Sequence, residues 1–236
     1  MIDAVLFDWG DTLVDGVEWT DELALAGNRA GLAAIEREGL PSAEDILDNL
    51  TELEAGLDPP DSDDEVDLGA IVRATFAQLD CELGEDELET YLWGSQIDWL
   101  SREHVHPDIH ALLDGLRARG LRLAIVSNCA TPSRFVESAL QVQGLLARVD
   151  VTIISSGVGK RKPHPAVFER ALHELGVEPV QALFVGDRVR EDVWGASQLG
   201  MRTAQALWCH EDESTGATPD LLAQRPLDIL DFVGRA

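Results

Sequence analysis

Five short, mostly apolar runs punctuate the chain, at Ile2–Phe7, Leu121–Val126, Val151–Ile154, Ala182–Val185 and Thr203–Leu207. They are rich in Val, Ile, Leu and Ala, the pattern of strands covered on both faces, as in a parallel sheet. Between the later runs the apolar period becomes helical. Ile109, Leu112, Leu113 and Leu116 keep i, i+3, i+4, i+7 spacing, and Gly120 is placed to end that helix. Val167, Phe168, Ala171, Leu172 and Leu175 repeat the pattern, with Pro163 and Pro165 before it and Gly176 after it. Strand and helix alternating from about residue 107 onward predict an α/β fold with a doubly wound parallel sheet.

From about Gly16 to Arg102 the pattern changes to consecutive helices. One follows Thr20, a capping residue, and another follows Ser42, with Asp45 three residues on. A third carries Leu68, Ile71, Val72, Phe76 and Leu79, and a fourth carries Leu88, Tyr91, Leu92 and Trp99. The acidic stretch Leu57–Asp67 between two of these helices reads as a loop. The expected division is an α/β core over residues 1–15 and 105–236, interrupted by an all-helical insertion over residues 16–104.

Composition narrows the function classes. With 236 residues, 45% of them hydrophobic, the chain is long enough to bury a sizeable core. Its 18 basic and 44 acidic residues give a net charge of −26, which repels nucleic-acid backbones and anionic lipid. Neither partner is expected, and no run approaches the ~20 apolar residues of a membrane helix. The first residues carry no basic leader, and three scattered cysteines form no disulfide or zinc pattern. A cytoplasmic location is the corresponding expectation.

Four motifs carry chemistry. In Phe7-Asp8-Trp9-Gly10-Asp11-Thr12-Leu13, Asp8 ends a predicted strand, where ligands bind in open α/β sheets. It is either a turn residue or a nucleophile or metal ligand. In Ile125-Val126-Ser127-Asn128, a hydroxyl and a following N–H suit a phosphoryl oxygen, or simply a turn. Lys160-Arg161-Lys162-Pro163-His164-Pro165 holds the chain's only two lysines. That run is either a solvated loop or a source of a compact ammonium for a phosphoryl group. In Phe184-Val185-Gly186-Asp187, followed by Asp192, an aspartate again ends a strand. It either caps the next helix or, with its neighbours, binds Mg²⁺ through oxygen.

In order, strand-end placement and insertion site, the four together resemble the haloacid dehalogenase-like hydrolase superfamily, most of whose members are Mg²⁺-dependent phosphatases. The helical insertion stands where that family's helical cap stands. The resemblance implies that Asp8 attacks phosphorus and forms an aspartyl-phosphate on a small phosphorylated substrate. It implies Mg²⁺ held by Asp8, the Gly10 carbonyl and Asp187, with Ser127, Lys162 and the Asn128 N–H at the phosphoryl oxygens. Asp192 then positions Lys162 or a metal-bound water.

One departure stands out. The family's phosphatases usually carry a second Asp two residues after the nucleophile as general acid and base. Here that position is Gly10, and Asp11 follows it. The gap leaves two alternatives open: a metal-independent 2-haloacid dehalogenase, which also lacks that Asp, or a slow-turnover phosphate-binding or regulatory member. Among the remaining features, His104, His106 and His110 are expected to mark the return into the core rather than a zinc site. Trp19, Trp93 and Trp99 are expected to pack helices rather than line a pocket. Cys209-His210 reads as incidental.

Overall fold

A computed structural model describes residues 1–57 and 62–234. Its main sheet runs in the order β5 (Val151–Ile154), β4 (Arg122–Ser127), β1 (Ala4–Phe7), β6 (Ala182–Gly186), β7 (Arg202–Ala206), β8 (Leu221–Ala223). Every pairing in it is parallel. The five apolar runs each became a strand, within a residue or two at the ends. β8 was not foreseen: it lies at the sheet edge with Leu222 58% exposed, and its Leu-Leu-Ala run is too short at three residues for a period to mark it.

Successive side chains of β1 face opposite layers. Ala4 and Leu6 pack with Val167, Phe168, Ala171 and Leu172, while Val5 and Phe7 pack with Ile109, Leu112, Leu113 and Leu116. Those partners lie on α7 (Pro165–Leu175) and α5 (Ile109–Ala118), the two helices expected from periodicity. Gly120 and Gly176 follow them with φ of +79° and +65°, as helix stops. Helix α6 (Ser133–Val142) completes the Val5 and Phe7 side through Phe135, Val136 and Leu140.

The insertion is helical among the described residues: α1 (Asp21–Ala34), α2 (Ala43–Leu57), α3 (Leu68–Gln78) and α4 (Glu85–Arg102). Thr20 accepts from the Leu23 N–H and Ser42 from the Asp45 N–H, so both predicted caps are used. Residues 58–61 of the acidic loop lie outside the described residues. Downstream, Glu65 N donates to Gly159 O at 3.1 Å and Arg161 N to Asp63 O at 2.9 Å, so the insertion touches the loop before α7. A two-residue antiparallel pair, β2 (Val14–Asp15) with β3 (His104–Val105), ties together the chain's departure to the insertion and its return. Pairs this short carry no readable period.

The three histidines belong to that return. His106 Nδ1 accepts from the Asp108 N–H at 3.3 Å, and His110 Nε2 lies 2.9 Å from Gln143 O. His104 sits in β3. Among the described residues no helix is long and apolar enough to cross a membrane.

Candidate active site

Sheet register gathers the motif residues at one edge. Phe7, the last residue of β1, is level with Ile125 on one side and Val185 on the other. Asp8 and Asp187 therefore leave adjacent parallel strands together, and Ser127 ends the strand on the other flank. The strand order reverses direction at β1, which opens a crevice there.

Lys162 reaches this edge from the loop ahead of α7. Its Nζ donates to Asp8 Oδ1 at 2.6 Å and to Asp192 Oδ1 at 2.7 Å, and the side chain is only 2% exposed. Burial alone would push the ammonium down, but Asp192 and Asp8 outweigh it and hold the lysine above its usual range. Asn128 fixes the lysine's backbone: its Oδ1 accepts from Lys162 N at 2.7 Å and its Nδ2 donates to Lys162 O at 2.9 Å. Lys160 instead pairs with Asp64 at the surface. The two lysines thus resolve the basic run into one buried group and one solvated group.

Asp8, Asp187 and Asp192 bring ligand atoms within 4.8 Å of one another, all three buried. Burial first, and then the Asp8 and Asp192 charges, push Asp187 up to about 8. Burial also raises Asp192, to about 6, against the pull of Lys162. Three crowded carboxylates outnumber the Lys162 ammonium and the Arg188 guanidinium beside Asp187, and they offer oxygen donors only. That donor set fits a hard divalent cation such as Mg²⁺. Helix capping does not explain Asp187, because Arg188 is the residue that starts the following wide turn, Val189–Trp194.

Gly186 has a steric reason. A Cβ there would meet Asp192 Oδ2 at 2.3 Å and Cγ at 2.4 Å. Its absence lets Asp192 fold back over the strand end and accept from the Arg188 N–H at 3.0 Å.

The turn after Asp8 decides where Asp11 points. Asp11 has φ +54°, and its Oδ1 accepts from the Gly16 N–H at 3.1 Å. At Gly10, by contrast, a Cβ would meet nothing within 4 Å, and its φ lies outside the left-handed region.

A cavity of about 390 Å³ opens over this edge. Trp9, Trp99 and Glu103 form part of its wall. Trp99 packs on Trp9 with ring centroids 6.2 Å apart, so this tryptophan both packs and faces the cavity, more than the sequence pattern suggested. Trp93 meets Phe135 at 4.8 Å, as a packing residue does, whereas Trp19, edge-on to Trp99 at 6.4 Å, is 61% exposed and lines a second, smaller cavity, contrary to expectation.

Glu103 was missed because nothing in its neighbourhood forms a motif. It is 8% exposed, its Oε2 has no hydrogen-bond partner, and burial, with Asp11 and Asp15 nearby, pushes it up to about 7. Between the ordinary value of 4.5 and about 7, the folded protein holds a proton that the unfolded chain has lost. Stability therefore falls as pH rises through that window, and the penalty is complete above it. Glu103→Gln should raise the thermal midpoint of metal-free protein at pH 8 relative to wild type, with little change at pH 4.5. An equal shift at both pH values would reject this account.

The segment after β7 was also underrated. His210 Nδ1 lies 2.9 Å from Asp187 Oδ2, and Cys209 Sγ donates to Asp15 Oδ1 at 3.1 Å. The two side chains face different partners, so they do not act as a pair, yet His210 touches the carboxylate cluster. Only the fold could reveal this, since the contact joins two different strand ends.

The sequence matches the profile of haloacid dehalogenase-like hydrolases over residues 2–200. It is 31% identical to a phosphoglycolate phosphatase of Aquifex aeolicus, covering 96% of this chain and 94% of that protein. It is 29% identical to a glyceraldehyde 3-phosphate phosphatase of Methanopyrus kandleri, covering 99% and 97%. Among solved structures, a phosphatase of this family from Thermococcus onnurineus superposes with a TM-score of 0.64 at 26% identity, covering 99% and 98%. A 2-haloacid dehalogenase from Pseudomonas syringae superposes at 0.70 with 22% identity over 100% and 99%, a likeness of fold.

Proposed function

The chain belongs to the haloacid dehalogenase-like hydrolase family, and from that premise we propose a Mg²⁺-dependent phosphomonoesterase acting on a small phosphorylated metabolite. The observation that carries this reading is the buried cluster in which Lys162 bridges Asp8 and Asp192 beside Asp187. Residues 16–104 act as the cap and the remainder as the hydrolase core.

In this reading an Asp8 oxygen attacks phosphorus, the P–O bond to the leaving group breaks, and an aspartyl-phosphate forms. Water then attacks that phosphorus and frees Asp8. Lys162, the Ser127 hydroxyl and the Asn128 N–H hold the phosphoryl oxygens, so positive charge and donors are in place before charge develops. Asp8, the Gly10 carbonyl and Asp187 would hold Mg²⁺, whose contribution is to neutralise phosphoryl charge against the anionic nucleophile. Asp192 keeps the Lys162 ammonium aimed at Asp8.

The acid/base position stays open. Asp11 lines the cavity, but its Oδ1 is engaged with the Gly16 N–H and its Oδ2 lies 3.9 Å from Arg188 Nη2, which favours the reading in which nothing replaces the missing carboxylate. Leaving groups that need a proton should therefore depart slowly. The space at Gly10 admits a side chain, so Gly10→Asp should raise kcat on an alkyl phosphate more than on an aryl phosphate. General acid catalysis is worth ~10²–10⁴-fold where fully restored, and a gain of roughly tenfold is the expectation for an unoptimised carboxylate. Equal change on both esters would show that proton donation is not what the turn lacks.

Phosphate release across a set of small esters, with Mg²⁺ and with excess chelator, tests the function. Release that stops on chelation and returns with Mg²⁺ is expected. Halide release from 2-haloacids in chelator would install the dehalogenase reading instead. Binding of phosphate and Mg²⁺ without release from any ester would favour a binding or regulatory role.

A further inference from the structure

Asp187 has two oxygens with different surroundings. Oδ2 meets His210 Nδ1 at 2.9 Å and Arg188 Nε at 3.1 Å, whereas Oδ1 meets only a long contact from Thr12 Oγ1 at 3.5 Å. With Asp187 ionised against a bound cation, its carboxylate accepts, and the His210 nitrogen on Oδ2 would carry the hydrogen. We infer that His210 is a positioning residue for the metal ligand Asp187: its Nδ1–H occupies Oδ2 and leaves Oδ1 to the cation. The inference rests on Asp187 being a Mg²⁺ ligand, as proposed above.

The backbone around His210 is built to hold that imidazole. Trp208 Nε1 donates to Thr12 O at 2.8 Å, and Cys209 Sγ reaches Asp15 as described. Beyond His210, Asp212 Oδ2 accepts from Val189 N at 2.7 Å, and Asp212 O accepts from Gln205 Nε2 at 2.8 Å. Anchors on both sides of His210 hold the backbone that carries its ring, which is itself 37% exposed. Arg188 is a poorer positioner, because its guanidinium is 52% exposed and also faces Asp11. His210 is not among the residues lining the cavity, so it acts from behind Asp187 and not on the substrate. Hydrogen bonds that orient a ligating group are worth about 10–100-fold in metal affinity.

The test is calorimetric titration of Mg²⁺ alone into the full-length, metal-free protein. His210→Ala should weaken Mg²⁺ binding by about 10–100-fold. His210→Asn should recover most of the affinity, because an Asn Nδ2 falls close to the position of the imidazole Nδ1. His210→Gln places its amide too far out and should stay weak. Space filling alone would not separate Asn from Gln, so this contrast also decides the matter should the alanine variant fold poorly. Unaltered binding by His210→Ala, or equal weakness of Asn and Gln, overturns the inference while Mg²⁺ binding by wild type stands. A wild type that binds no Mg²⁺ removes the metal reading and this inference together.

Discussion

Asp8→Asn should reduce phosphate release by on the order of 10⁴-fold or more, the scale of loss when one member of a catalytic unit is removed. An amide is a poor nucleophile and a poor ligand for a hard cation. The fold should survive. An Asn Oδ1 can still accept from Lys162 Nζ, which now lies 2.6 Å from Asp8 Oδ1. Removing one charge also relieves the repulsion that Asp8 exerts on Asp187 and Asp192. The thermal midpoint of metal-free Asp8→Asn should accordingly equal or exceed that of wild type. Phosphate release and thermal unfolding, measured on the same preparation, check both halves. Turnover near the wild-type rate would end the aspartyl-phosphate proposal.

The second large effect separates the two lysines. Lys162→Met should lower kcat by ~10²-fold or more, since it removes one preorganised cationic contact from a water-poor site. It also strips the ammonium from two buried carboxylates, and breaking a buried pair costs about 3–5 kcal/mol. Its activity is therefore best read at saturating Mg²⁺, alongside an unfolding curve. Lys160→Met should leave stability nearly unchanged, as for other exposed pairs, because its ammonium and Asp64 are 39% and 67% exposed. The measurement is kcat and the thermal midpoint for both variants. Mild, equal effects would mean that Lys162 takes no part in holding the phosphoryl group.

Much of this was legible along the chain because the signals are local. Apolar periodicity reports which face a residue covers within a turn or two, so the five buried strands and the helices α5 and α7 stand out. A cap bonds within three residues, which is why Thr20 and Ser42 announce their helices. An aspartate just after a buried strand is placed at the sheet's carboxyl edge by chain direction alone, which singles out Asp8 and Asp187. The core fold followed from these short-range regularities, and the expected chemistry from the family that the four motifs together resemble.

Tertiary structure alone decided the rest, since it depends on groups far apart in sequence. Lys162 meets Asp8 across 154 residues; its place directly before Pro163-His164-Pro165 and the family resemblance single it out from Lys160, but the contact itself belongs to the fold. His210 meets Asp187 because β6 and β7 lie side by side, bringing two strand ends together. Glu103 is perturbed because it is buried beside Asp11 and Asp15, a property of packing and not of its own residue type. Asp11 Oδ1 is held by the Gly16 N–H because a turn residue at φ +54° aims its side chain there, and the direction of a side chain in a tight turn is set by backbone dihedrals that composition does not carry.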